Sequence, residues 1–123
     1  MSAVDTLFEQ LRREGRKAFM PFVTAGDPDL DFTAEVITEL VGRGSHLCEV
    51  GVPYSDPIAD GPVIQASYTR ALSAGVRVEQ ILQRLGQLEL PRPAPLVTMV
   101  CYAIVYRYGI QRYLREAKAA GLA

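Results

Sequence analysis

The run Leu47-Cys48-Glu49-Val50-Gly51-Val52, followed by Pro53-Tyr54-Ser55-Asp56-Pro57-Ile58-Ala59-Asp60-Gly61-Pro62, decides how the chain is read. The first part, apolar but for one carboxylate, has the length and character of a strand buried on both faces. A loop dense in turn residues leaves it, and Ile64, Tyr68, Ala71 and Leu72 then mark a helix stopping near Gly75. The same order recurs on either side. Upstream, residues 18–25 form a strand-length run closed by Gly26, and Asp27-Pro28 is expected to open a helix with the Asp side chain as its cap. Leu30, Ala34, Ile37 and Val41 give that helix its apolar stripe, and Gly42 and Gly44 end it. Downstream, Val78, Ile81, Leu82 and Leu85 mark a further helix before the stiff Pro91, Pro93, Pro95 connection. Residues 96–102 form the third strand, and Ile110, Tyr113, Leu114 and Ala117 the last helix, with Gly121 as its stop. Val4, Leu7, Phe8 and Leu11 predict a short amphipathic helix over residues 3–14 ahead of all of these.

Apolar strands alternating with helices predict an α/β fold: a parallel sheet, right-handed crossovers, and helices packed on its face. With 123 residues the chain is one domain, spanning 1–123. Hydrophobic residues make up 49% and charged residues 22%, which excludes a disordered chain. Thirteen Lys and Arg against fourteen Asp and Glu leave a net charge of −1, so recognition of nucleic acid or an anionic membrane by bulk charge is excluded. Lys17 and Lys118 are the only lysines, and neither has a neighbour that would activate it for Schiff-base chemistry. Cys48 and Cys101 lie in apolar runs without a CxxC or Cys/His cluster, which points to buried thiols and to no metal. The single histidine, His46, precedes the second strand and reads as structural or solvated. Charges at Asp5, Glu9, Arg12, Arg13 and Glu14 argue against a leader segment, and no run approaches the ~20 apolar residues of a membrane span, so a cytoplasmic chain is expected. The sequence ends at Leu122-Ala123, where a fourth strand would begin, an odd place for a complete fold to stop.

Glu49 is the chemically telling residue. A carboxylate inside an apolar strand is costly unless paired, hydrogen-bonded or wet, and burial would make it a useful acid or base near neutrality. Two readings stay open on the strand alone: an acid–base group, or a structural ion pair with an arginine. Gly51 shares its face and is expected to leave space there. Asp60 lies in the loop leaving the C-terminal end of this strand, where parallel α/β folds build their sites. It could share acid–base work with Glu49, although Asp before Gly-Pro is also ordinary turn chemistry. Asp27 and Asp56, each before a proline, read as caps. Ser55 has no histidine partner, and no glycine-rich phosphate loop is present. Phe22 and Tyr102, near the ends of the first and third strands, can wall a pocket for a flat ligand or pack in the core. Tyr54, Tyr68, Tyr106, Tyr108 and Tyr113 read as packing or surface residues.

Pro21-Phe22-Val23-Thr24-Ala25-Gly26-Asp27-Pro28, together with the ordered run from Glu49 to Gln65, closely resembles the tryptophan synthase alpha chain family. The resemblance covers the whole sequence but only about the first half of the family's chain. It implies a (β/α)8 TIM barrel, here represented by the first three βα units plus an N-terminal helix, a partial barrel. It also implies a lyase that splits indole-3-glycerol phosphate into indole and glyceraldehyde 3-phosphate. The family's two acid–base carboxylates match Glu49 and Asp60, and Phe22 matches a pocket residue packing on the substrate. Around the third strand the family often has Tyr then an Asn-containing turn; Cys101-Tyr102-Ala103 departs from this, with Tyr102 filling the pocket role one residue away. No metal or cofactor is implied for this chain; pyridoxal phosphate belongs to a partner beta chain, in an alpha2beta2 assembly. The family's phosphate site lies in later strands, so this chain alone is expected to have little activity. The alternatives are a non-catalytic half-barrel that binds a complementary fragment or a beta chain, and a different phosphosugar enzyme on the same barrel.

Overall fold

The computed structural model describes residues 1–123 as one three-stranded parallel sheet, order β1-β2-β3, with six helices. Helix α1, Ala3–Arg13, begins in a reciprocal cap: the Asp5 N–H donates to Ser2 Oγ (3.1 Å), and the Ser2 N–H donates to Asp5 Oδ2 (2.9 Å). Strand β1, Phe22–Thr24, is much shorter than the expected run over 18–25, because only these residues find ladder partners on β2. Its lead-in is held instead by His46, whose Nδ1 accepts from the Phe19 N–H at 3.0 Å while its own N–H donates to the Phe19 carbonyl.

Helix α2, Leu30–Gly42, starts two residues later than the Asp27-Pro28 reading placed it. Its cap is Asp29, which accepts from the Phe32 N–H at 2.7 Å. Asp27 is not a cap; its carboxylate pairs with Arg70 across the chain. Strand β2, Cys48–Gly51, is central, and helix α3, Pro62–Ser73, follows with Pro62 at its first position and Gly61 before it. Asp56 caps no helix either: its carbonyl accepts from Ile58 and its carboxylate from Ser55. Helix α4, Val78–Gly86, precedes β3, Leu96–Met99. The expected third strand over 96–102 stops early, since Tyr102 opens an unforeseen helix α5, Tyr102–Tyr108. Gly109, at φ +100, turns the chain into α6, Ile110–Ala119.

Alternation along the strands separates two chemically different faces. Cys48, Val50 and Leu96 point into a core completed by Ile37 and Val41 of α2 and Ile81 and Leu85 of α4, all buried. Burial of one such aliphatic side chain stabilises by about 1.5–3 kcal/mol. The opposite, inner face carries Phe22 and Thr24 on β1, Glu49 and Gly51 on β2, and Val97 and Met99 on β3, aligned by the register. All of these but Gly51 are half-buried, so the inner face is not a closed core. No helix is long and apolar enough to cross a membrane.

Candidate functional site

Glu49 sits on the inner face in register with Phe22 on one side and Val97 on the other. Of the two readings of this carboxylate, the ion pair is not formed: none of the chain's salt bridges includes Glu49 or Asp60. The arginines within reach of carboxylates serve others, Arg70 to Asp27 and Arg84 to Asp31. Asp60, half-buried, is fixed by its backbone: its N–H donates to the Pro57 carbonyl (3.1 Å), and its carbonyl accepts from Gln65 Nε2 (2.6 Å). Its carboxylate is left free of that turn bonding.

The space expected beside Gly51 is taken by the protein itself. A Cβ at Gly51 would meet Phe22 Cζ at 2.3 Å and Cε2 at 2.7 Å, with the Tyr68 hydroxyl oxygen at 3.0 Å. Phe22 therefore lies edge-on over Gly51, beside Glu49, and Tyr68 reaches the same point from α3. Tyr68 was expected only to pack, and its ring does pack, at 3% exposure. Its hydroxyl, however, belongs to the site. Burial pushes the phenol up to about 12, helped by the negative charges of Asp60 and then Glu49. One phenol thus feels both carboxylates. The signal in the sequence was its position two helical turns after Gly61, on the face turned to the loop.

Tyr102 stands apart. It is 68% exposed at the first position of α5, and its ring tilts against Tyr106 at 6.3 Å between centroids. A cavity of about 950 Å³ lies beyond the end of β2, lined by Tyr54, Asp56, Ile81, Ile104, Tyr108 and Arg112 among others. A second of about 450 Å³ lies between the start of α2 and α4. Neither contains Glu49, Asp60, Phe22 or Tyr102. Glu49 lies half-buried on the inner sheet face, and Asp60, also half-buried, lies in the loop that leads into α3.

A family model described as "Tryptophan synthase alpha chain" matches residues 8–123. The tryptophan synthase alpha chain of Rhodopirellula baltica is 52% identical over 124 residues, covering 98% of this chain and 45% of that protein. That of Thermoanaerobacter sp. (strain X514) is 46% identical, covering 99% of this chain and 47% of its own length. Among solved structures, tryptophan synthase subunit alpha from Legionella pneumophila superposes with a TM-score of 0.93 at 32% identity, over 99% of this chain and 47% of that one. An aminoacrylate-bound tryptophan synthase from M. tuberculosis gives 0.91 at 34% identity, over 99% and 49%. The chain spans about half the length of the relatives it matches, and its three parallel strands with their helices are a partial TIM barrel. A whole-chain match in sequence and an equally complete match in backbone agree: this chain belongs to the tryptophan synthase alpha chain family, as an N-terminal portion of it.

Proposed function

We propose that this chain carries the proton-transfer end of a lyase site that splits indole-3-glycerol phosphate into indole and glyceraldehyde 3-phosphate. The observation that carries the reading is the pairing of Glu49 and Asp60: both carboxylates act on one buried phenol, and neither is consumed by an ion pair. Reversal of an aldol addition needs a proton placed on the indole carbon C3 while a side-chain hydroxyl gives up its own. Glu49 is the shuttle between those two positions. Asp60 stands near the indole nitrogen and stabilises positive charge there. Phe22, edge-on beside Glu49, packs against the ring system, and Tyr102 contributes from the start of α5. In this reading residues 1–123 act as a single partial-barrel domain in the cytoplasm, within a complex with a beta chain that carries pyridoxal phosphate.

The open sheet face also favours a second reading, in which the chain is a half-barrel whose site is completed by a complementary portion of the family's chain. One experiment serves both. Indole release from indole-3-glycerol phosphate is measured for the 123-residue chain alone and after mixing with the remaining portion of a relative's chain. Little turnover is expected alone, with recovery on mixing. In the mixture Glu49→Gln and Asp60→Asn are each expected to lower turnover by about 10²-fold or more. An active mixture indifferent to Glu49→Gln would overturn the proton-shuttle role of Glu49, and a folded mixture that releases no indole would overturn the lyase assignment in favour of another phosphosugar reaction.

A further inference from the structure

The loop that carries Asp60 has little backbone bonding of its own. Within residues 53–60 the Ile58 N–H donates to the Asp56 carbonyl at 2.8 Å and the Asp60 N–H to the Pro57 carbonyl at 3.1 Å, and no other backbone bond closes on itself there. Pro53 and Pro57 have no N–H to offer. A side chain supplies what the backbone lacks. Gln65, in the first turns of α3, leans back toward the helix N-terminus, and its Nε2 donates to the Pro57 carbonyl at 3.1 Å and to the Asp60 carbonyl at 2.6 Å. Both partners are acceptors, so the amide nitrogen with its two hydrogens is the end that faces the loop. Helix α3 is fastened in turn to the first strand and the loop after it. Ser67 Oγ gives its one hydrogen to the Ile64 carbonyl (2.7 Å), so its 2.7 Å contact with Thr24 on β1 is a bond donated by the Thr24 hydroxyl. Arg70 grips both carboxylate oxygens of Asp27, at 3.0 and 2.7 Å.

We propose that Gln65 is the positioning residue of Asp60: its amide clips segment 57–60 to α3, so that a helix anchored on β1 sets where Asp60 stands. The proposal rests on the acid–base reading above and names the side chain that holds the second carboxylate in the place that reading needs. One amide bonding both ends of a four-residue segment closes it against the helix that follows. Without that closure the segment keeps only its two short-range backbone bonds. Misplacing a reacting group by about 1 Å costs on the order of 10²-fold in rate, so the clip bears on turnover although Gln65 touches no reacting atom. Thr24, Ser67, Asp27 and Arg70 act one step further back, on the helix as a whole.

Two variants test this. Gln65→Met keeps the length of the side chain and removes both donors, and Gln65→Glu sets a carboxylate against the two carbonyls. Amide hydrogen exchange, read residue by residue on the 123-residue chain, is expected to quicken about tenfold at the Asp60 N–H in both variants, while Tyr68 and Ala71 within α3 keep the parent's rates. Equal quickening along α3 would show that Gln65 only supports its helix, and unchanged exchange at Asp60 would show that the clip holds nothing; either overturns the proposal. In the active mixture described above, Gln65→Met is expected to lower turnover about tenfold and to take nothing further from Asp60→Asn. Losses that simply add overturn the proposal as well. A mixture that releases no indole sinks the lyase reading, and the exchange rates still decide the clip. Unchanged exchange at Asp60 in a mixture that depends on Asp60 sinks the clip and leaves the lyase reading standing.

Discussion

Gly51 shows how little room one side chain leaves another on the inner face. A methyl group there would lie 2.3 Å from Phe22 Cζ, well inside contact distance, so Gly51→Ala must push the ring aside. A stability loss of about 1–3 kcal/mol is expected, the usual cost of overpacking. Urea unfolding followed by circular dichroism checks it, and an unchanged midpoint would mean that the ring moves freely. The glycine and the glutamate were both legible in the sequence as an unusual pair on one strand face. What filled the space was not, because the ring of Phe22 and the hydroxyl of Tyr68 arrive from elements distant in sequence. Tyr68 looked like any helix aromatic; only the packing of α3 against β1 gives its hydroxyl a place beside the carboxylates.

Element boundaries were set by partners that local pattern does not reveal. Asp27 and Asp29 are both plausible caps by residue type, and the choice falls to Asp29 because Arg70 claims Asp27. The Arg70 guanidinium, by hydrogen bonding first and by charge as well, holds the Asp27 carboxyl below its ordinary value. A carboxyl depressed in the folded state stabilises above its unfolded value of about 4, and that contribution is lost as pH falls through the folded value. The melting temperature of Asp27→Asn is therefore expected to lie below the parent's at neutral pH and to converge on it in acid. A gap that persists undiminished at low pH would show that the pairing is not its source. Helix α5 escaped the sequence reading for another reason. Tyr102–Tyr108 buries no residue, so no buried stripe marks it as a helix, and of its residues only Tyr102 fell within the strand expected over 96–102. The helices with buried stripes, α2 and α4, were legible from those stripes alone.

The whole molecule is a sheet whose outer edges, along β1 and β3, carry no further strand. β1 and β3 each pair with β2, and on the side of β3 turned from β2 the Leu96 carbonyl accepts from the Ala123 N–H at 2.9 Å. Phe19 and Met20, beside β1, and Tyr102 and Tyr106, beyond β3, are exposed. Unpaired strand edges flanked by exposed apolar side chains invite pairing with another chain. The 123-residue chain is expected to self-associate, with a sedimentation mass and a melting temperature that both rise with concentration. A monomer whose melting is indifferent to concentration would contradict this. The alternating pattern that announced the α/β fold lies in the residues; the open edges are a property of the sheet those residues build.

Cys48 offers a clock for that sheet. Its side chain has no exposed surface, and burial pushes its thiol above the ordinary value. Alkylating reagents capture the thiolate, so a thiol both hidden and protonated stays silent while β2 remains covered. Half-buried Cys101 lies outside that shelter. Iodoacetamide is accordingly expected to mark Cys101 in native buffer and Cys48 only at the rate at which the core comes apart; equal rates at both would mean that the strand is released far more often than its neighbours suggest.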